Sequence, residues 1–339
     1  MQTRNKSRSK FHELINLKKE KQQQNGSRAG TPLLLGDGAM GTELMKISSQ
    51  KKMIPLEYNL KSPESVREIH RLYLDAGAEI ITSNTFCANR LYLKETGLTA
   101  EKNELKQLVE KINRQGAELA EEAVNKFQQD SREKSCRLTA GSIGPTGSER
   151  AIFPEQNNNQ EKLEEAFREQ IAALIAGGID ILLFETFSYH LELKSALRAA
   201  AEYELPWIVN MSFDRYHSTN YGTTPEKFAS LMKEFPAANI LAAGINCIAP
   251  DPGYRETIDR LIARLAPLPF SLYYNAGTPE LDVKTGKTSY QLEESFFQEA
   301  EKFSGRNEPE ALILGGCCGT SPETISRLKS LLQGKSEKD

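Results

Sequence analysis

The amino-acid sequence predicts a (β/α)8 TIM barrel, a single α/β domain, and three observations carry that expectation. Short β-branched or apolar runs alternate with helix-period segments eight times from residue 31 onward. Each run ends in a polar or glycine-rich turn, the place where such a barrel builds its site. The length, 339 residues, fits one barrel with insertions. An open doubly wound sheet is the competing architecture. It is disfavoured because Gly36-Asp37-Gly38-Ala39-Met40-Gly41 lacks the dinucleotide-binding spacing and carries an acid where a phosphate would sit.

The elements follow in order. Residues 1–30 form a polar, basic N-terminal extension with Arg4, Lys6, Arg8, Lys10, Lys18, Lys19 and Lys21. It reads as a solvated, partly disordered tail, with residues 11–17 suited to a short helix on the bottom of the domain. A mitochondrial presequence is the alternative reading of so basic a start. The barrel spans 31–333. Its strands are expected at 33–37, 79–83, 138–143, 180–185, 207–212, 240–246, 270–275 and 311–315. Its helices are expected near 63–76, 101–129, 161–177, 189–203, 225–235, 254–265, 292–304 and 322–333. Ser62-Pro63-Glu64, Thr224-Pro225-Glu226 and Ser321-Pro322-Glu323 mark three helix starts. There a hydroxyl caps free N–H groups, proline sits where its missing N–H is harmless, and the carboxylate suits the positive helix end. A charged tail, 334–339, follows. The segment 282–289 reads as a loop whose Gly-Lys-Thr is not a P-loop, because the first glycine of that motif is missing.

Composition bounds the function. Hydrophobic residues at 39% and charged residues at 26% support a sizeable core under a solvated surface, and the net charge of −3 leaves no basic footprint for nucleic acid. No apolar run approaches the ~20 residues that span a bilayer, and no signal-peptide core follows Met1. A cytoplasmic protein without a membrane partner is expected. Five cysteines, an odd number, argue against a disulfide framework. With four scattered histidines, any metal site must lean on sulfur or oxygen.

At the expected strand ends stand Asp37-Gly38, Asn84-Thr85, Gly144-Pro145-Thr146-Gly147, Glu185-Thr186, Ser212, Asn246-Cys247, Asn275 and Gly315-Gly316-Cys317-Cys318. Cys247 and the Cys317–Cys318 pair end the sixth and eighth strands and point at one mouth. Adjacent cysteines rarely pair with each other, because the geometry strains the intervening peptide. Three thiolates with one open position describe a catalytic zinc site, since structural zinc closes all four positions. The competing reading makes Cys317 and Cys318 small buried residues at a tight turn. Cys87 and Cys136 lack this context and read as structural. Three thiolates leave Zn²⁺ well neutralised, so the site favours a thiolate nucleophile over a polarised carbonyl or a hydroxide. Asp37, Gly38 and Glu185 suit the ammonium and carboxylate of an amino acid. Asp37 as a helix cap and Glu185 as an internal ion-pair member are the alternatives.

On these residues the chain resembles the homocysteine S-methyltransferase family, in particular the homocysteine-binding module of cobalamin-dependent methionine synthase. The resemblance runs from about Leu33 to Leu332. It rests on Gly36–Glu43, Thr82-Ser83-Asn84-Thr85-Phe86, Gly141–Gly147, Phe184-Glu185-Thr186-Phe187, Gly244-Ile245-Asn246-Cys247, Tyr274-Asn275-Ala276-Gly277 and Gly315–Thr320. It implies one Zn²⁺ on Cys247, Cys317 and Cys318, with the homocysteine sulfur as fourth ligand and Asn275 a metal contact when substrate is absent. It implies the amino-acid end held at Asp37, Gly38 and Glu185, with Asn84 and Ser212 further candidates. The implied reaction is in-line attack of the thiolate on an activated methyl group, giving methionine. Gly316–Gly319 and Asn275–Gly277 look most like the branch that takes methyl from methylcobalamin, so a corrinoid- or folate-binding partner protein is expected. Betaine or S-methylmethionine is the alternative donor, and a non-catalytic thiol- or zinc-binding barrel is the alternative function.

Overall fold

A computed structural model describes residues 2–24, 31–47, 53–98, 102–131, 136–147, 159–282, 287–304, 309 and 311–333. Residues 25–30 of the extension and the charged tail 334–339 lie outside the described residues. In chain order the helices are α1 (Gln2–Gln24), α2 (Met40–Ile47), α3 (Tyr58–Lys61), α4 (Pro63–Ala76), α5 (Arg90–Glu95), α6 (Lys102–Asp130), α7 (Asn159–Ala176), α8 (His190–Ala200), α9 (Pro225–Met232), α10 (Arg255–Leu265), α11 (Glu294–Ser304) and α12 (Pro322–Leu332). The strands are β1 (Leu33–Leu35), β2 (Ile80–Thr82), β3 (Leu138–Ile143), β4 (Ile181–Phe187), β5 (Trp207–Met211), β6 (Ile240–Ile248), β7 (Phe270–Tyr274), β8 (Pro279–Asp282), β9 (Lys287–Tyr290) and β10 (Leu312–Gly316).

Eight strands pair in parallel in the order β1-β10-β7-β6-β5-β4-β3-β2. A bridge between Gly36 and Ile80 joins the first strand to the second and closes the barrel. All eight expected strands are present, and the eight expected helices flank them. Their faces explain why: Phe167, Phe184, Trp207, Phe228, Phe270 and Phe296 fill the layer between sheet and helices. Leu34, Ile80, Leu138, Ile181, Leu183, Ile208 and Ile313 fill the barrel itself. Two of the three expected caps form. Thr224 accepts from the Lys227 N–H and Ser321 from the Thr324 N–H, whereas Ser62 makes no cap bond and pairs with the Ser65 hydroxyl at 2.9 Å.

Two elements depart from the sequence reading. Where the reading puts a solvated tail with a short helix over 11–17, α1 runs through 23 residues. Phe11, Leu14 and Ile15, at i, i+3 and i+4, pack into the lower end of the barrel against its interior residues. Lys10 pairs with Asp180 at 2.6 Å and Lys18 with Glu79 at 2.9 Å, anchoring the helix to β-strand starts. The apolar stripe is only three residues, so periodicity along the segment is weak, and only the surface it covers makes it a core element. The segment 282–289, read as a loop, contributes to an antiparallel hairpin of β8 and β9 above the mouth. Among the described residues no helix is long and apolar enough to cross a membrane.

Candidate active site

The upper mouth of the barrel holds a cavity of about 330 Å³ lined by Asp37, Gly38, Glu185, Cys247, Cys317 and Cys318 among others. The three thiol sulfurs lie within 4.8 Å of one another, and Cys247 Sγ is 3.8 Å from Cys318 Sγ. Strand β7 separates β6 from β10, so two local devices bring the sulfurs together. Between β6 and β7 the register advances from Asn246–Tyr273 to Ile248–Tyr274, leaving Cys247 as an extra residue. That bulge sets Cys247 at φ +58° and re-aims its side chain. After β10 the Cys317 N–H donates to Tyr274 O at 2.7 Å, the Ala276 N–H donates to Cys318 O at 2.9 Å, and Gly319 turns the chain at φ +81°. Both cysteines of the pair are thereby presented from one turn. Cys87 and Cys136 stand outside the cluster.

The thiols share charge unequally. Hydrogen bonds from Cys247, then Cys317, and a further one from Tyr290 hold the Cys318 thiol well below its ordinary value. The bonds Cys317 makes with Cys247 and Cys318, together with burial, push its own thiol up. The cluster therefore holds negative charge most readily on Cys318. Three sulfurs so placed form a donor set for a soft divalent cation, whose charge replaces the thiol protons.

The two carboxylates face the same cavity. Asp37 accepts from the Thr82 N–H at 2.7 Å and the Thr82 hydroxyl at 2.8 Å. Glu185 accepts from the Ser142 hydroxyl. Burial pushes each carboxyl up to about 7, and for Asp37 the neighbouring Glu185 adds to the effect. Among the described residues no lysine or arginine pairs with either, so Glu185 is no ion-pair member, and the Asp37 carboxylate is engaged by Thr82 of β2 and not by the N–H groups of α2. A buried acid and a half-buried one, facing one cavity without a cation, suit a cationic ligand.

The remaining expected residues separate. Gly38 and Asn84 line the cavity, and both donors of the Asn84 amide nitrogen are engaged, by Pro55 O at 2.7 Å and Asn59 Oδ1 at 2.9 Å. Ser212 is not among the lining residues, and its hydroxyl points to Cys247 O at 3.5 Å. Asn275 is buried just past β7 with Oδ1 unpartnered. Sequence reasoning quoted Thr82, Ser142, Thr186 and Asn246 within its motifs but gave none of them a role; Thr82 and Ser142 orient the two acids, and Asn246 and Thr186 fix the bulges. The alternation of inward positions along β2 and β3 is the signal that marks the first two.

A homocysteine S-methyltransferase family model matches residues 34–332. The chain is 30% identical over 286 residues to homocysteine S-methyltransferase 1 of Arabidopsis thaliana, covering 79% of this chain and 83% of the relative. It is 28% identical over 282 residues to the protein of the same name from Brassica oleracea var. italica, with the same coverage. The metallated form of the homocysteine methyltransferase MmuM from Escherichia coli superposes with a TM-score of 0.68 at 24% identity, over 88% of this chain and 96% of that one, which establishes the shared fold. The chain belongs to the homocysteine S-methyltransferase family.

Proposed function

We propose that this member of the homocysteine S-methyltransferase family methylates the sulfur of homocysteine to give methionine, with Zn²⁺ held by Cys247, Cys317 and Cys318. The observation that carries the reading is the juxtaposition of three converging thiols with two carboxylates that have no cationic partner among the described residues, all on one cavity. Bound there, zinc supplies acidification of the substrate thiol, so that sulfur attacks as the nucleophile at neutral pH. Asp37 and Glu185 bind the substrate's ammonium, and Thr82 and Ser142 hold those carboxylates in place. Gly38, beside Asp37, offers its backbone to the substrate carboxylate. Asn275, with its unpartnered Oδ1, is the residue of this turn suited to contact the metal before substrate arrives.

The donor reading that follows from Gly316–Gly319 and Asn275–Gly277 is methylcobalamin, delivered by a corrinoid-bearing partner protein. A second reading, a small methylated cation such as betaine or S-methylmethionine, is favoured by the outer wall. There Met40, Met45, Ile54, Phe86 and Tyr92 offer an apolar and aromatic surface of the kind that attracts such cations. The test is direct. Metal analysis of the purified chain is expected to give about one zinc per chain, lost in Cys247→Ala, Cys317→Ala and Cys318→Ala. Homocysteine supplied separately with methylcobalamin, betaine or S-methylmethionine is expected to yield methionine with one of them. Stoichiometric zinc that survives all three substitutions, or no methionine with any donor, overturns the reading.

A further inference from the structure

Two strands of the barrel carry a bulge at the mouth, and each bulge faces a single residue on its neighbour. On β4 the register advances from Phe184–Val209 to Phe187–Met211, so Glu185 and Thr186 together oppose Asn210 of β5. On β6 the Asn246–Cys247 bulge opposes Tyr273 of β7. Asn210 and Tyr273 both line the cavity, with only 1% and 5% of their surfaces exposed. Neither the Asn210 amide nitrogen, nor its oxygen, nor the Tyr273 hydroxyl has a hydrogen-bond partner among the described residues.

Such atoms are costly to bury, by about 1–3 kcal/mol each, and those that face a cavity are open to a ligand that completes the bond. Tyr273 is held in place by design of the backbone around it. A Cβ on Gly36 would lie 2.5 Å from its hydroxyl, and one on Gly315 would lie 2.3 Å from its ring. The missing side chains let the ring cross the barrel and set its hydroxyl against β1, one residue before Asp37. Asn210 stands beside Glu185. The two orphan groups therefore accompany the two acids one to one.

We infer that Asn210 Oδ1 and Tyr273 Oη accept hydrogen bonds from the substrate's ammonium group and complete the subsite that Asp37 and Glu185 begin. An ammonium has three N–H donors; with one given to each carboxylate, the third is shared by Asn210 Oδ1 and Tyr273 Oη. The inference rests on the reading that the cavity takes homocysteine. It adds the residues that distinguish an amino acid from a bare thiol.

The experiment is calorimetric titration of the zinc-loaded chain with L-homocysteine and, in parallel, with its des-amino analogue γ-mercaptobutyrate. Tyr273→Phe and Asn210→Leu each remove the polar atoms while keeping the volume, and Asn210→Ala serves should the leucine not fold. Each is expected to weaken homocysteine about tenfold and to leave γ-mercaptobutyrate unchanged. The unfolding midpoint is expected to hold or rise, because a buried atom without a partner is gone. Unchanged homocysteine affinity in both Tyr273→Phe and an Asn210 variant, or equal losses for the two thiols, overturns the inference and leaves the parent reading standing. A wild-type chain that binds neither thiol overturns the parent reading and this inference with it.

Discussion

Asn246 reaches past β5 to hold Thr186: its Oδ1 accepts the Thr186 N–H at 2.7 Å and its Nδ2 donates to the Thr186 hydroxyl at 2.8 Å. Thr186 is β-branched at φ +61° and Cys247, next to Asn246, stands at φ +58°. Both conformations are costly and persist only where surrounding bonds over-determine them. One side chain thus locks the bulge that presents Glu185 to the bulge that presents Cys247. Asn246→Ala is expected to lower stability by about 2 kcal/mol for two buried hydrogen bonds and to weaken zinc binding, because Cys247 loses its fixed aim. Urea unfolding and a competitive chelator titration measure the two effects. Wild-type zinc affinity in that variant would show that the clamp does not position the metal ligand.

Metal removal should act on stability as well as on activity. An ion that binds the folded cluster and not the unfolded chain raises the unfolding midpoint by mass action. Prolonged chelation is expected to lower the midpoint of the wild type and re-addition of zinc to restore it. Cys318→Ala should respond to neither treatment. An identical midpoint with and without metal in the wild type would refute a stable site.

Binding should depend on pH through the acids. Asp37 and Glu185 are both pushed up to about 7 by burial, and only their ionised forms attract an ammonium. Homocysteine affinity is expected to fall as pH drops through about 7. The γ-mercaptobutyrate control reports the part due to thiol deprotonation alone, so the difference between the two ligands isolates the acids. Parallel pH profiles for both thiols would remove Asp37 and Glu185 from ammonium recognition.

The same shift has the opposite sign for the ligand-free, metal-free chain. A carboxyl whose folded value lies above its unfolded one, 3.8 for aspartate and 4.5 for glutamate, binds more protons when folded. Its contribution to stability is complete at acid pH and is lost as pH rises from about 4 to about 7. Asp37→Asn is expected to flatten that fall, as read from thermal unfolding across this range. A slope equal to that of the wild type would argue against the raised carboxyl.

At the opposite end of the barrel, Phe11 is 1% exposed against the interior residues. Phe11→Ala is expected to cost about 3 kcal/mol while leaving homocysteine affinity intact, because the plug and the mouth lie at opposite ends of the strands. Chemical denaturation and calorimetry test the pair of outcomes. A loss of affinity at constant stability would contradict a purely structural α1.

Much of this molecule was legible along the chain. Alternating runs and helix-period segments specify the barrel, because periods of about 2 and 3.6 residues are local properties of backbone geometry. Strand ends in a parallel barrel converge by topology, so Asp37, Glu185, Cys247, Cys317 and Cys318 could be placed at one mouth before any contact was seen. What tertiary structure alone decided is how neighbouring strands slip past one another. The bulges at Thr186 and Cys247 arise from register between β4, β5, β6 and β7, and no run of residues encodes that by itself. The same holds for satisfaction of polar groups: the Asn84 amide nitrogen is engaged by Asn59 and Pro55, while both polar atoms of Asn210 are left open. Both are asparagines near strand ends, and only the distant residues that fold against them separate a structural amide from one free to meet a ligand.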